Sequence, residues 1–287
     1  MIDNERFIDK SVDNLLNSLD KYSEELLKKL VKYLSEFDKK DGNLNSSQFD
    51  LILGIDKFIR SAVFDTKLDS KIKNYLSTFD EATGKILSIN EEFANRVINV
   101  NTDRLLNDNK KFTLNNLKGI GFENVTKIIQ DILYKGISNN SSVQAVENQL
   151  KNTILPTDGV DLLSKHFGQV AQDSLYQYQG EVNQKVIETY NFKSFRYVPM
   201  TEVRDTRPIC DHIINEGGLI GFDELKTILN EYCPNGNPSK TRETITIRGV
   251  EKTLAKGSGM IQGTNIDNFV MNRGGYGCRH SCIGAIK

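Results

Sequence analysis

The chain has 287 residues, of which 38% are hydrophobic and 26% are charged, so it is long enough for one large domain or two ordinary ones. Its 37 Lys and Arg residues nearly balance its 38 Asp and Glu residues, which gives a formal net charge of -1. This balance excludes a general electrostatic attraction to nucleic acid or anionic membranes. No apolar run approaches the ~20 residues of a membrane-spanning helix, and no signal peptide is visible at the N-terminus, so we expect a cytosol-like compartment.

Apolar residues recur at steps of three and four along the first hundred residues. Leu15, Leu19, Leu26 and Leu30 are typical of this pattern, which predicts amphipathic helices that bury one stripe each. The expected helices cover residues 5–37, about 48–63, 68–79 and 91–106, with a break at Thr83-Gly84 between the last two.

A polar run at residues 107–111 is the best candidate for a domain boundary. It predicts a helical N-terminal region, residues 1–110, and a second domain, residues 111–287. In the second domain, the same apolar periodicity predicts helices at about 123–134, 143–150 and 159–190, a turn at Gly119-Ile-Gly121 and a helix end at Gly136.

The pattern changes after Asn191. Residues 192–198 and 242–248 alternate apolar and polar side chains, which is typical of strands. Glycine and proline pairs between and after these segments predict turns and long loops. The expected fold class is therefore α+β, mainly α, with a helical N-terminal region followed by a small α+β C-terminal module.

Two short blocks, Thr201 to His212 and Asn272 to Cys282, contain three of the four cysteines and two of the three histidines. Four cysteines are too few for a disulfide scaffold, so metal or thiol chemistry is the first hypothesis. Residues two apart on an extended strand project to one face, so two strands that meet can present thiols and imidazoles to one point. Zinc takes four nitrogen or sulfur ligands and is the candidate metal. The candidate ligands are Cys210, His212, Cys278, His280 and Cys282.

The spacing of these ligands leaves a second interpretation open. Structural zinc sites usually place two to four residues between paired ligands, and here there is one. Under the second interpretation Cys210 and either Cys278 or Cys282 are small buried hydrophobes that pack the two blocks together. Cys233 lies beside Pro234 in a predicted loop and is expected to take no part.

Charged residues lie in both blocks, at Arg204, Asp205, Arg207 and Arg279. A carboxylate beside arginines usually forms bidentate ion pairs that hold loops in place. A histidine beside a cysteine can activate a thiolate, but the sequence offers no third residue to orient it. We therefore expect Asp205, Arg207 and Arg279 to be structural and predict no catalytic residue.

At these residues the chain resembles the C-terminal module of the phage Mu F-like minor head proteins, also called head morphogenesis or minor capsid proteins. Phe195-Arg-Tyr-Val198 corresponds to the family's strand, and Asp205-Thr-Arg-Pro-Ile-Cys210 to its first conserved block. Cys278-Arg-His280 corresponds to its closing block, and Lys135-Gly-Ile-Ser138 looks like its entry turn. The resemblance covers residues 111–287. In this chain Tyr197 stands where the family usually has Trp, and Gly275-Tyr-Gly277 replaces its His-Pro.

The resemblance implies a virion component and not an enzyme. Such proteins are present in few copies and bind the portal protein or the major capsid protein during head assembly in the host cytoplasm. They can leave with the packaged DNA, and no membrane takes part in assembly. No cofactor is required, and zinc is the only candidate. The N-terminal helices are then the expected contact region, because an amphipathic helix can dock into a groove on a partner.

Two alternatives from other functional classes stay open. Mu F-like modules resemble parts of polymorphic toxins, some of which are ADP-ribosyltransferases. That activity would need a carboxylate pair on a strand near the C-terminus, and Glu243 is the only candidate on a predicted strand. The other alternative is a zinc-dependent nucleic-acid module, which the balanced charge disfavours.

Overall fold

The fold is α+β and mainly α, as predicted. The computed structural model describes residues 2–36, 39–40, 42–44, 53–55, 57–58, 61, 66–156, 159–198, 207–247, 250–275 and 278–286. The α-helices of these ranges are α1 (Ile2–Leu34), α2 (Thr66–Ala94), α3 (Asp103–Asn116), α4 (Phe122–Ser138), α5 (Val143–Ile154), α6 (Leu162–Tyr190), α7 (Pro208–Asn215), α8 (Phe222–Tyr232) and α9 (Phe269–Asn272). The strands are β1 (Lys39–Lys40), β2 (Asn43–Leu44), β3 (Ser194–Val198), β4 (Leu219–Gly221), β5 (Arg242–Ile247), β6 (Val250–Ala255) and β7 (Ser281–Ala285).

The chain forms two compact units, and each is discontinuous in sequence. The unit that we call the sheet unit comprises Met1–Asp9, Phe79–Asn109 and Gln172–Lys287. The helical unit comprises Lys10–Thr78 and Lys110–Ala171. The borders between the units fall inside helices α1, α2, α3 and α6. The division into residues 1–110 and 111–287 stays a prediction, although the polar run at 107–111 is part of α3.

The sheet unit is built around a three-stranded antiparallel sheet with the order β4-β3-β7. Strand β3 is central, and Phe195 lies opposite Ile220 of β4 and Gly284 of β7. Gly284 is required there, because a Cβ at this position would lie 2.5 Å from the Phe192 ring. Strands β5 and β6 form a separate antiparallel hairpin. Arg242 lies opposite Ala255 at one end of this hairpin, and Ile247 lies opposite Val250 at the other end.

The core of the sheet unit packs the Phe195 and Tyr197 face of β3 against the surrounding helices. Phe195 and Tyr197 are almost completely buried, and their rings contact Phe269 of the short helix α9. Val186 and Ile187 of α6 belong to the same core cluster. This burial fixes the positions of the Phe195 and Tyr197 side chains on β3.

The helical unit is held by apolar stripes on its helices and by a few polar contacts. Leu19 and Leu30 of α1 are completely buried, which matches the stripe predicted from the sequence. The Tyr75 hydroxyl donates a hydrogen bond of 2.6 Å to the Ala171 carbonyl oxygen, and Lys118 pairs with Asp69 at 2.7 Å. Helix α5 begins after Ser142, whose hydroxyl accepts a hydrogen bond from the Ala145 N–H as an N-cap.

Several helix ends differ from the prediction. The break at Thr83-Gly84 is wrong, because α2 continues through both residues. Helix α2 then ends at Ala94, and α3 begins only at Asp103, so no helix spans 91–106. The helix predicted at about 48–63 falls mainly outside the described residues.

Two predictions about glycines also differ from the structure: the turn at Gly119-Ile-Gly121 and the helix end at Gly136. Gly119 and Gly121 lie in a π-helical turn, Leu117–Gly121, between α3 and α4. Gly136 lies inside α4 and does not end it. It is there because Val146 of α5 packs directly against its Cα, so a larger residue would push the two helices apart.

The strands predicted at 192–198 and 242–248 are confirmed as β3 and β5. No helix within the described ranges combines the length and the apolar character needed to cross a membrane.

Candidate metal centre

The described part of the first Cys/His block, residues 207–212, forms the start of helix α7 and not an extended strand. Pro208 occupies the first turn of α7, where its missing N–H costs nothing. Residues two apart on a helix lie on nearly opposite sides, so Cys210 and His212 diverge. Cys210 is 1% exposed in the core, whereas the His212 ring packs against Tyr232 with 5.3 Å between ring centroids. The prediction that Cys210 and His212 share one face of a strand is therefore wrong.

The second block leads into β7. Cys278 and His280 precede the strand, and Cys282 is its second residue. Cys282 lies opposite Tyr197 of β3 and is completely buried. Burial raises the pKa of the Cys282 thiol far above its ordinary value, which is typical of a structural cysteine.

The two blocks meet at one buried point, which confirms the prediction that they come together. One donor atom from each of Cys210, Cys278 and His280 lies within 4.8 Å of the other two. The Cys278 Sγ is 3.5 Å from the His280 Nδ1. Among the described residues this is the group of Cys, His and carboxylate side chains that can hold a metal ion. His212 and Cys282 do not belong to it.

The electrostatics of the group distinguish the two thiols. A hydrogen bond from Cys210 lowers the pKa of Cys278 well below its ordinary range, and His280 and Arg273 lower it further against the effect of burial. The same hydrogen bond, together with burial, raises the pKa of Cys210. The two pKa shifts have opposite directions, so Cys278 is the more acidic thiol of the pair.

Tyr197 and Gly274 complete the surroundings of the two sulfurs. The Tyr197 Oη lies 3.2 Å from Cys210 Sγ and 3.5 Å from Cys278 Sγ. The Gly274 N–H donates a hydrogen bond of 3.3 Å to Cys278 Sγ. The Tyr197 ring stacks on the His280 ring at an interplanar angle of 13°.

Two observations show that these residues fit a metal ion. Two thiols and an imidazole are the donors that zinc prefers. A Cβ at Gly274 would overlap Cys210 Sγ and lie 3.2 Å from Cys278 Sγ, so the glycine keeps open the space onto which the sulfurs converge.

The predicted structural arginines lie in different environments. Arg207 donates a hydrogen bond of 2.9 Å to the Gly274 carbonyl oxygen and so ties the two blocks together. Arg279 is 42% exposed and pairs with Asp9 at 3.3 Å. Asp205 lies outside the described residues.

Sequence reasoning missed Arg273, the most buried of the described arginines at the site. It is 3% exposed, and its Nη1 donates a hydrogen bond of 3.3 Å to the His280 carbonyl oxygen. Its φ of 52° places it in the left-handed region, which arginine rarely adopts. Its position beside Gly274, five residues before Cys278, was the available signal, but nothing in the sequence distinguishes it from the exposed Arg279.

Glu243, the candidate carboxylate for an ADP-ribosyltransferase, is held in a polar cluster. The Tyr232 hydroxyl donates to its Oε2 at 3.3 Å, and the Lys256 ammonium lies 3.7 Å from the same oxygen. Lys256 also pairs with Glu231. A carboxylate with these partners has the environment of a structural ion pair.

No family model, no curated protein and no solved structure matches the chain. The protein is therefore described by its fold and by its candidate site. It is a mainly α protein whose sheet unit contains a buried group of two cysteines and one histidine that can hold a metal ion.

Proposed function

We propose that the chain is a phage minor head protein, a low-copy structural component of the virion that acts during head assembly in the host cytoplasm. We propose further that Cys210, Cys278 and His280 bind zinc as a structural ion. The observation that carries the proposal is the convergence of Tyr197, Cys210, Cys278 and His280 in one buried cluster. Cys210, Cys278 and His280 are positions through which the sequence resembles the Mu F-like module, whereas Tyr197 stands where that family usually has Trp.

The geometry supports a structural role for the cluster. Cys210, Cys278 and His280 are each at most 5% exposed. A nucleophile of that burial has no route to a macromolecular substrate, whereas a closed metal site contributes directly to folding. The zinc ion would therefore join α7 to the segment before β7 and close the sheet unit.

The charge of the chain favours protein partners over DNA. A formal net charge of -1 provides no general attraction to a phosphate backbone. The portal protein and the major capsid protein are the proposed partners. Contact with packaged DNA would then follow from location inside the head. The helical unit supplies exposed apolar side chains for docking. Phe112 and Tyr134, which lie beyond the predicted N-terminal region 1–110, are each 55% exposed.

The test is co-expression of the chain with the portal and major capsid proteins of the same phage. Assembled heads are purified on a gradient, and the chain is quantified by mass spectrometry. We expect a few copies of the chain per head. We also expect the chain to co-purify with the portal protein when the major capsid protein is left out. A chain that stays free of both heads and portal would overturn the proposal.

Two serine variants separate the metal centre from general effects on folding. Cys278→Ser removes a proposed ligand, and we expect it to reduce incorporation into heads. Cys233→Ser is the matched control, since Cys233 is 2% exposed in the same unit but outside the group.

Hydrolysis of NAD by the wild type, abolished by Glu243→Gln, would instead support the toxin alternative and contradict the assembly role.

A further inference from the structure

The group of Cys210, Cys278 and His280 supplies three donors, whereas structural zinc takes four. The fourth donor has to come from another residue or from water. Among the described residues, the Tyr197 hydroxyl is the polar side-chain atom that lies against both sulfurs. We propose that Tyr197 is the fourth ligand, so that the centre is a closed Cys2HisTyr site. This inference rests on the zinc site proposed above.

The distances agree with a tetrahedron. Zinc bonds of about 2.3 Å to sulfur and about 2.0–2.1 Å to nitrogen or oxygen place neighbouring ligand atoms roughly 3.3–3.8 Å apart. The Tyr197 Oη is 3.2 Å from Cys210 Sγ and 3.5 Å from Cys278 Sγ. The Cys278 Sγ is 3.5 Å from His280 Nδ1. Three edges of the donor set are thus within a few tenths of an ångström of their required lengths.

Tyr197 is already held in position. Its backbone is paired in the central strand β3, and its N–H donates a hydrogen bond of 2.6 Å to the Gly218 carbonyl oxygen. Its ring lies between His280, at 4.9 Å, and Phe269, at 6.1 Å between centroids. Because Tyr197 is 1% exposed, swinging the ring away would require the core to open.

Water is a poorer candidate for the fourth position. A cavity of about 20 Å³, enough for one water molecule, lies beside Cys278 and is lined by Asp173 and Arg273. Of the described donor residues its lining includes Cys278 alone, without Cys210, His280 or Tyr197. A water molecule there would not occupy the point that the three ligands share.

Burial and the neighbouring Cys210, Cys278 and Cys282 raise the pKa of Tyr197 well above its ordinary value, so loss of its proton would require the positive charge of the metal ion. Two thiolates and a phenolate around Zn²⁺ leave one net negative charge, and each ligand binds in its deprotonated form, so the protons leave to solvent. Arg207 and Arg273 lie close enough to stabilise the thiolates of Cys210 and Cys278 respectively. These guanidinium groups balance the centre inside the core.

The test is titration of the metal-free protein with Co²⁺ and Zn²⁺. Wild type is compared with Tyr197→Phe and with Tyr178→Phe, which removes a hydroxyl from another completely buried tyrosine of the sheet unit. We expect Co²⁺ to give tetrahedral absorption bands and Zn²⁺ to give the ultraviolet difference band of a tyrosinate in wild type and Tyr178→Phe. Tyr197→Phe should lack the tyrosinate band and bind at least about tenfold more weakly.

The outcomes are distinguishable. A wild type that binds one Zn²⁺ without a tyrosinate band overturns the Tyr197 ligand and leaves the zinc site intact, whether or not Tyr197→Phe folds. Equal affinity and equal Co²⁺ spectra for Tyr197→Phe and wild type overturn it as well. A wild type that binds neither metal contradicts the zinc proposal itself.

Discussion

Phe269 is a single apolar side chain that packs against Tyr197, next to the group of Cys210, Cys278 and His280. It is completely buried, and its ring contacts Phe195 and Tyr197. We expect Phe269→Ala to lower the free energy of unfolding by about 3–5 kcal/mol, because it leaves a cavity that the sheet cannot fill. Phe112→Ala is the matched control: Phe112 is 55% exposed, so the expected change is within about 0.5 kcal/mol. Urea unfolding of both variants measures these free energies. A change within about 0.5 kcal/mol for Phe269→Ala as well would contradict the packing of Phe269 against Phe195 and Tyr197.

Tyr178 makes a prediction about alkaline pH. Burial, partly opposed by the hydrogen bond with Thr83, raises the pKa of Tyr178 from 10.0 to about 12. The unfolded chain therefore loses this proton first, so the contribution to stability is complete below pH 10.0 and is lost as the pH rises toward about 12. We expect the difference in unfolding free energy between wild type and Tyr178→Phe to shrink over that interval. A difference in unfolding free energy that stays constant over this pH interval would contradict the raised pKa of Tyr178.

The chemistry of the centre could be predicted residue by residue only in part. Residue type alone identified Cys210, Cys278 and His280, because few side chains bind zinc. His212 was included wrongly, since the local structure is a helix and the inference assumed a strand. The contact of Tyr197 with both sulfurs depends on the register of β3 against β7, which no local pattern encodes.

At the scale of elements, two glycines in helices should respond to alanine in opposite ways. Gly84 lies in the exposed interior of α2 with nothing within 4 Å of a built Cβ, so Gly84→Ala should stabilise the protein by about 0.5–1 kcal/mol. At Gly136 a Cβ would lie 2.5 Å from the Val146 Cγ2. Gly136→Ala should therefore destabilise by about 1–3 kcal/mol. Thermal unfolding monitored by circular dichroism measures both, and shifts of the same sign would contradict the assignment of these helices.

Gly136 also explains why helix ends were predicted less well than helices. Apolar periodicity correctly gave α1, α4, α5 and α6, because each buries a continuous stripe. A glycine inside such a stripe is equally consistent with a helix end and with close packing. The difference lies in the neighbouring helix, as Val146 against Gly136 shows, and is not visible in the local sequence.

At the scale of the whole molecule, the proposed ligands all belong to the sheet unit. An ion that binds only the folded state stabilises it by mass action. We expect a chelator to reduce the hydrogen-exchange protection of strands β3 and β7 and to leave α4 and α5 of the helical unit unchanged. Equal loss of protection in both units, or no loss in the sheet unit, would contradict a structural ion at this site.

The general architecture was predictable, whereas the interleaving of the two units was not. Composition and periodicity gave an α+β, mainly α fold. Each unit consists of segments that are separate in sequence, and the borders between the units fall inside helices. Helix α6, for example, continues across the border between Ala171 and Gln172. A polar run such as residues 107–111 indicates exposure, and exposure is as common on a helix surface as in a linker.

The zinc content of the purified protein tests most directly whether the two distant blocks form one metal centre. Wild type, Cys278→Ser and the control Cys233→Ser are supplied with zinc, dialysed and analysed by elemental mass spectrometry. We predict about one zinc ion per chain in wild type and Cys233→Ser, and almost none in Cys278→Ser. A wild type without zinc, or a Cys278→Ser variant that retains a full zinc ion, would contradict the account.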